Sequence, residues 1–213
     1  PDSFGFITLK NLVNSGFQGS VYPVCQAREA VMGIPCYAKL EDLPSTPDLA
    51  VIMSAAELVP EIISECGKAG IVGVVILTVG FKEAGKRGKQ LEMLVKEQIK
   101  KFPDMRAIGP NCHGLIVPGA KLNIGFSNVQ TRKGKVAFIS QSGALCASVL
   151  DWANEAKIGF SYFISIGNAV DVTFGDLIDY LGQDAGTKSI ILYIESLTDA
   201  RSFMSAARAV ARK

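Results

Sequence analysis

Short apolar runs alternate with longer segments of helical periodicity along the whole chain. Runs at residues 49–53, 72–79, 106–108, 135–139, 160–166 and 189–194 read as buried strands. The run at 72–79 is the most strand-like, with four valines, one isoleucine and one leucine. A further short strand is expected at 21–24. Helical spacing covers 6–15, with Gly16 as its cap, then 57–68, 86–102, 144–156, 173–181 and 200–213. Strand and helix in alternation predict a parallel sheet covered on both faces.

The stretch 115–133 interrupts the alternation with Pro118, Gly119, Asn123 and Gly134 nearby, and reads as a connector. It divides the chain into residues 1–132 and 133–213. A doubly wound domain opens on a central strand and a Gly-rich turn. Here Pro1-Asp2-Ser3-Phe4-Gly5 leads almost at once into a helix. The first strand is therefore expected to lie before Pro1, and the sequence reads as a fragment.

Composition narrows the class. Hydrophobic residues make up 48% and charged residues 20% of 213 residues, which favours a packed core over disorder. The net charge of +2, with Lys and Arg dispersed, speaks against nucleic acid as a partner. No apolar run approaches the ~18 residues of a membrane span. Cys25, Cys36, Cys66, Cys112 and Cys146 form an odd, widely spaced set, which fits neither a disulfide framework nor a metal site. A reducing, cytoplasmic compartment is expected.

Open α/β sheets bind ligands beyond the carboxyl ends of their strands. Successive strand ends here carry Ser54-Ala55-Ala56, Thr78-Val79-Gly80-Phe81, Gly109-Pro110-Asn111-Cys112 and Ser140-Gln141-Ser142-Gly143. Small residues let a ligand approach the backbone, and a helix N-terminus after a Ser-rich loop offers N–H groups to a phosphate. Each loop also has a purely structural reading, as a turn, an Asx turn or a helix cap. Glu195 ends the apolar run 190–194, where its carboxylate would face a cleft. Asp171 and Asp176 flank a helix start and read as N-caps. The run Lys86-Arg87-Gly88-Lys89 reads as a solvated helix start. His113, the single histidine, sits in a Gly-rich turn and has no second histidine with which to activate Cys112.

The segments Ile108-Gly-Pro-Asn-Cys-His-Gly114, Ala137-Phe-Ile-Ser-Gln-Ser-Gly-Ala-Leu145, Ser165-Ile-Gly-Asn168 with Asp171, and Leu192-Tyr-Ile-Glu195 carry a resemblance. The chain resembles the NDP-forming acyl-CoA synthetases, the group of the ADP-forming acetyl-CoA synthetases and the succinyl-CoA synthetase α subunit. The resemblance implies an α/β fold: a Rossmann-like CoA-binding domain followed by a flavodoxin-like ligase domain. It implies the reaction acyl-CoA + phosphate + NDP ⇌ acid + CoA + NTP, through an acyl phosphate and a phosphohistidine. By position, Ser54, Ala55, Thr78, Val79 and Gly80 would line the coenzyme A site. Asn111 and Cys112 would shape the turn between CoA and the acyl group. Ser140, Ser142 and Gly143 would meet the phosphate, and Glu195 would hydrogen-bond the phosphohistidine.

That histidine would lie beyond Lys213, since His113 stands where the family has Leu, Pro or Met. The nucleotide-binding ATP-grasp unit would be a fused domain or a separate subunit, in an oligomer, and this stretch alone would be incomplete as an enzyme. A small carboxylic acid is the implied co-substrate. Two other readings stay open at this point. The same pair of domains occurs in protein acetyltransferases that resemble the family, as a CoA-sensing regulatory module. A different nucleotide binder, such as an NAD enzyme, is disfavoured because no G-x-G-x-x-G follows a strand.

Overall fold

The computed structural model describes residues 3–125, 127, 129 and 131–211. Helix α1 (Phe4–Asn14) is capped by Ser3, whose hydroxyl accepts the Phe6 N–H at 3.3 Å. It ends at Ser15, followed by Gly16 at φ +75°. Strands β1 (Ala30–Val31) and β2 (Ile34–Pro35) form a two-stranded hairpin. Its two-residue turn has positive φ at both Met32 and Gly33, the geometry that matches the twist of paired strands.

The first α/β unit follows: β3 (Leu49–Ile52), α2 (Val59–Lys68), β4 (Gly73–Ile76), α3 (Lys86–Lys100) and β5 (Arg106–Ile108). The three strands form one parallel sheet in the order β3-β4-β5. Pro60 sits in the first turn of α2, where a missing N–H costs nothing. Both faces of the sheet are buried. Val74 and Ile76 pack with Val59, Ile63, Val95 and Ile99 of α2 and α3. Val75 and Leu77, one position out of phase, pack with Leu12 of α1, Cys112 and Ile124.

The stretch expected to be a plain connector contains two strands, β6 (Leu115–Val117) and β7 (Leu122–Asn123), which pair with each other antiparallel. They join a second sheet with β8 (Lys133–Ser140), β9 (Phe160–Ser165) and β10 (Ser189–Tyr193) in the order β10-β8-β9-β6-β7. Strands β8, β9 and β10 are parallel, while β6 runs antiparallel to β9. Helix α4 (Gly143–Glu155) covers one face through Cys146, Leu150 and Ala153, against Phe138, Phe160 and Phe163. The Phe138 and Phe163 rings stack with centroids 4.8 Å apart. Helices α5 (Phe174–Gln183) and α6 (Ala200–Val210) cover the other through Leu177, Ile178, Leu181 and Ala206. Thr173 and Asp176 form a capping box at the start of α5.

Two further expectations differ from this structure. The run 21–24 forms no ladder and contributes only an isolated bridge between Val24 and Tyr37. A short apolar run becomes a strand only beside a neighbour whose N–H and C=O groups it can meet. Asp171 is no helix cap: its Oδ2 accepts the Ala107 N–H at 2.7 Å and the Arg106 Nε–H at 3.1 Å. It pins the segment after β9 to β5. Along that segment Asn168, Val170 and Val172 donate N–H groups to the carbonyls of Pro110, Gly109 and Ala107. The exposed edge of the first sheet is thereby covered by backbone from the second half. Among the described residues no helix is long and apolar enough to cross a membrane.

Candidate functional site

The parallel strands of the first sheet all deliver their carboxyl ends to one rim. Ser54 and Ala55 follow β3, with Ala55 exposed. After β4, the Thr78 hydroxyl donates to the Ser54 carbonyl at 2.9 Å, which fixes these two loops to each other. Asn111, after β5, donates its N–H to the Thr78 carbonyl at 2.9 Å and holds φ +55°. Ser54, Thr78 and Asn111 therefore form one continuous rim. Val79 projects from it with 63% of its surface exposed.

Gly80 lies on the same rim, but its N–H is not free. The Glu83 Oε1 accepts the N–H groups of Gly80 at 2.7 Å and Phe81 at 2.9 Å. Burial alone would raise the Glu83 carboxyl. The hydrogen bonds from Asn168, Phe81 and Gly80 outweigh it and hold the group below the ordinary carboxylate range.

Cys112 is buried beneath this rim, and its thiol donates to the Ile76 carbonyl at 3.2 Å. Burial pushes its pKa to about 12, so it is a packed thiol rather than a nucleophile. His113 leads out of the turn. Its N–H donates to the Ser165 hydroxyl at 2.9 Å, and its ring leans over the start of α4. A Cβ placed on Gly143 would lie 3.7 Å from the His113 Nδ1. Burial lowers the His113 pKa, so the ring is held neutral.

In the second sheet, the Ser-rich loop separates into distinct roles. Ser140 is fully buried; its hydroxyl accepts the Ser142 N–H at 3.0 Å and donates to the Ser142 carbonyl. It shapes the loop and is not presented outward. Ser142 is the N-cap of α4 and accepts the Leu145 N–H at 3.3 Å. Gly143 and Ala144 then lead the helix with N–H groups claimed by no side chain among the described residues, which leaves a positive helix end open.

Glu195 follows β10 with its side chain exposed. Its backbone is anchored from the Ser-rich loop: the Gln141 Oε1 accepts the N–H groups of Glu195 at 2.7 Å and Ser196 at 2.9 Å. Gln141 and Asn168 were noted from the sequence only as members of the segments 140–143 and 165–168, with no role of their own, and Glu83 was not singled out. Gln141 stands inside the Ser-Gln-Ser-Gly loop, and a buried amide between two small hydroxyls was the available signal. Nothing in the sequence pairs Glu83 with Asn168, which lie 85 positions apart.

The two halves meet at these loops. Gly167 has φ +52°, and a Cβ there would fall 2.2 Å from the Pro110 carbonyl and 2.3 Å from that of Asn111. Only glycine lets the loop after β9 press on the turn after β5. The turn after β5 thus touches the loop after β9 through Gly167, and the α4 start through His113. Among the described residues no group of three His, Cys, Asp or Glu side chains could hold a metal ion.

Residues 1–118 match the family model of a CoA binding domain, and residues 133–213 that of a succinyl-CoA ligase like flavodoxin domain. The chain belongs to the NDP-forming acyl-CoA synthetase family. Within this family, it is 43% identical over 214 residues to the α subunit of a Pyrococcus furiosus ADP-forming acetate–CoA ligase II, covering 100% of this chain and 46% of that one. An Archaeoglobus fulgidus ADP-forming acetate–CoA ligase I is 39% identical over 209 residues, 98% of this chain and 30% of that one. The fold superimposes on ADP- and phosphate-bound acetyl-CoA synthetase 1 of Ca. Korarchaeum cryptofilum with a TM-score of 0.94, at 37% identity, over 99% of this chain and 45% of that one. The chain thus spans about half, or less, of the length of the relatives it matches.

Proposed function

We propose that this chain supplies the CoA-binding part and the first ligase part of an NDP-forming acid–CoA ligase. The observation that carries the reading is the contact of the turn after β5 with both the loop after β9 and the α4 start, and we place the ligand on the surface these loops would share. One rim of small residues and one open helix end face it, and the interlock of Gly167 with the carbonyls of Pro110 and Asn111 holds them together.

Coenzyme A fits the rim in one respect and constrains it in another. Ala55 and Val79 are exposed and uncharged, and Ser54 and Gly80 are small, so an extended apolar and amide ligand could lie across them. The N–H groups of Gly80 and Phe81 are already used by Glu83, so the anionic part of CoA is held elsewhere. Asn111 and Cys112 shape the turn that would separate the thiol end of CoA from the α4 start. The N–H groups of Gly143 and Ala144 suit a phosphoryl oxygen, where a helix dipole stabilises added negative charge. Neutral His113 adds no charge there.

The Glu195 carboxylate, on a turn fixed by Gln141, would accept the N–H of an imidazole brought to the same place and orient its other nitrogen toward phosphate. That imidazole belongs to a part of the protein outside this chain. In the resulting sequence phosphate displaces CoA from the acyl group, giving acyl phosphate and CoA. The phosphoryl group then passes to the imidazole with release of the acid, and from there to NDP. The nucleotide step needs an ATP-grasp unit, fused or as a partner. A relative named as a subunit α supports the partner arrangement. We further infer an oligomer and a cytoplasmic location, the latter supported by five free cysteines.

The named relatives are ligases, which favours this reading over the acetyltransferase-linked alternative. Incubating the intact protein and its nucleotide-binding unit with ATP labelled in the γ-phosphoryl group tests it. The expected result is an acid-labile, base-stable label on the protein that acid plus CoA discharge. Absence of label with every part present contradicts the reading.

A further inference from the structure

Asn168 uses every polar group it has, all toward the first half of the chain. Its Nδ2 donates to the Glu83 Oε2 at 2.8 Å and to the Glu92 Oε2 at 2.7 Å. Its Oδ1 faces the Asn111 Nδ2 at 3.4 Å. Its backbone N–H donates to the Pro110 carbonyl, and its backbone carbonyl accepts the Lys82 ammonium at 3.1 Å. The residue is 6% exposed, and its bond to Glu92 is buried away from water.

Glu83 is the other end of the same connection. One carboxylate oxygen holds the N–H groups of Gly80 and Phe81, and the other receives Asn168. From Asn168 the chain leads back to Ser165, whose hydroxyl accepts the His113 N–H, and to Ile166, whose N–H meets the Ser140 carbonyl. Hydrogen bonds at both ends of the backbone segment 165–168 therefore join the β4 loop to the loop that starts α4.

We propose that Glu83 and Asn168 are positioning residues: together they form a strut that holds the rim of the first sheet in register with the α4 start, so that two half-sites act on one substrate. The inference rests on the proposed ligase function. Neither residue touches the reacting atoms. Cutting the strut should leave each half-site working and impair the step that needs both.

The variant E83Q makes that cut. Its side-chain oxygen can still accept the Gly80 and Phe81 N–H groups, which fixes its amide orientation and turns an NH2 toward the Asn168 NH2. Donor then meets donor. In the intact synthetase, the expected CoA affinity by calorimetry and the expected extent of label from ATP both stay within about 2-fold of wild type, while kcat falls by at least about 10-fold. N168S approaches the strut from its other end, leaving Glu92 its Lys96 partner at 3.7 Å, and should give the same pattern. Thermal melting shows whether each variant is folded, and N168S decides if E83Q is not.

An unchanged kcat overturns the strut. So does a fall in kcat matched by an equal loss of CoA affinity, because that is what a locally damaged rim would give. Wild-type protein that neither binds CoA nor takes up label would instead overturn the functional reading.

Discussion

Gly88 lies in the first turns of α3 within a run of charged residues, yet it is buried. A Cβ added there would fall 1.8 Å from the Phe81 carbonyl oxygen, 2.5 Å from its carbon and 2.8 Å from the Gly80 oxygen. All three are backbone atoms, so no side-chain rotation relieves the contact. Restoring an ordinary separation moves α3 and the 80–81 loop apart by about 1.5 Å, in a region packed at the density of an organic crystal. Overpacking of this kind costs about 1–3 kcal/mol, and an alanine in a helix returns about 1 kcal/mol relative to glycine. A shift of this size falls at the upper end of that cost, so G88A should lose roughly 2 kcal/mol, which lowers Tm by about 4–8 °C for a protein of this size. The shift also drags the N–H groups that Glu83 holds, so CoA affinity should fall by about 10-fold, the equivalent of 1.4 kcal/mol. Urea denaturation and calorimetric titration of the intact protein measure the two effects. A G88A protein as stable as wild type, with unchanged CoA affinity, refutes the packing argument.

Four further outcomes follow from the geometry. Burial lowers the His113 pKa, so the unfolded chain binds the proton more readily; stability is complete above the unfolded value of about 6.5 and declines as pH falls through the lower folded one. H113N should flatten the stability profile below about pH 7, and an unchanged slope contradicts this. D171A leaves the Ala107 N–H without its acceptor at about 1–3 kcal/mol, whereas R106M removes only two partly exposed ion pairs worth about 1 kcal/mol or less together. Chemical denaturation should rank D171A as the more damaging, and the reverse order would refute the assignment. Buried Cys66, Cys112 and Cys146, with pKa values pushed up to about 11, 12 and 11, should react with a thiol reagent only on unfolding. Partly exposed Cys25 and Cys36 should react in the native state, and fast labelling of Cys112 would contradict its buried setting. Q141A should loosen the turn bearing Glu195 and slow phosphoryl labelling with little effect on CoA affinity.

The main strands and helices were legible because both faces of each parallel sheet are buried. That produces the unbroken run 72–79 and the amphipathic spacing of 57–68. The β1–β2 hairpin was not legible, since its strands have two residues each and Met32-Gly33 is an uncommon primed turn. Pro118 and Gly119 masked β6 and β7: β6 takes its strand character from pairing with β9, distant in sequence, and β7 from pairing with β6. At the candidate site, the loops at strand ends could be located from small residues alone. What each polar group does could not. Ser140 resembles Ser142 in sequence, but burial turns it inward. Glu83 and Glu92 have no sequence motif that links them to Asn168, and only folding brings them to its amide. Gly88 read as part of a solvated run because the carbonyl it must avoid lies on a separate loop.

The central claim is that the rim formed by Ser54, Thr78, Val79 and Asn111 belongs to a CoA site. Calorimetric titration of CoA into the intact protein, with NAD as control, tests it most directly. The account predicts saturable CoA binding at one site per chain, no NAD binding, and marked weakening when Val79 is replaced by Glu on the exposed rim. Absence of CoA binding, or affinity indifferent to that charge, would contradict it and leave these loops as structural turns.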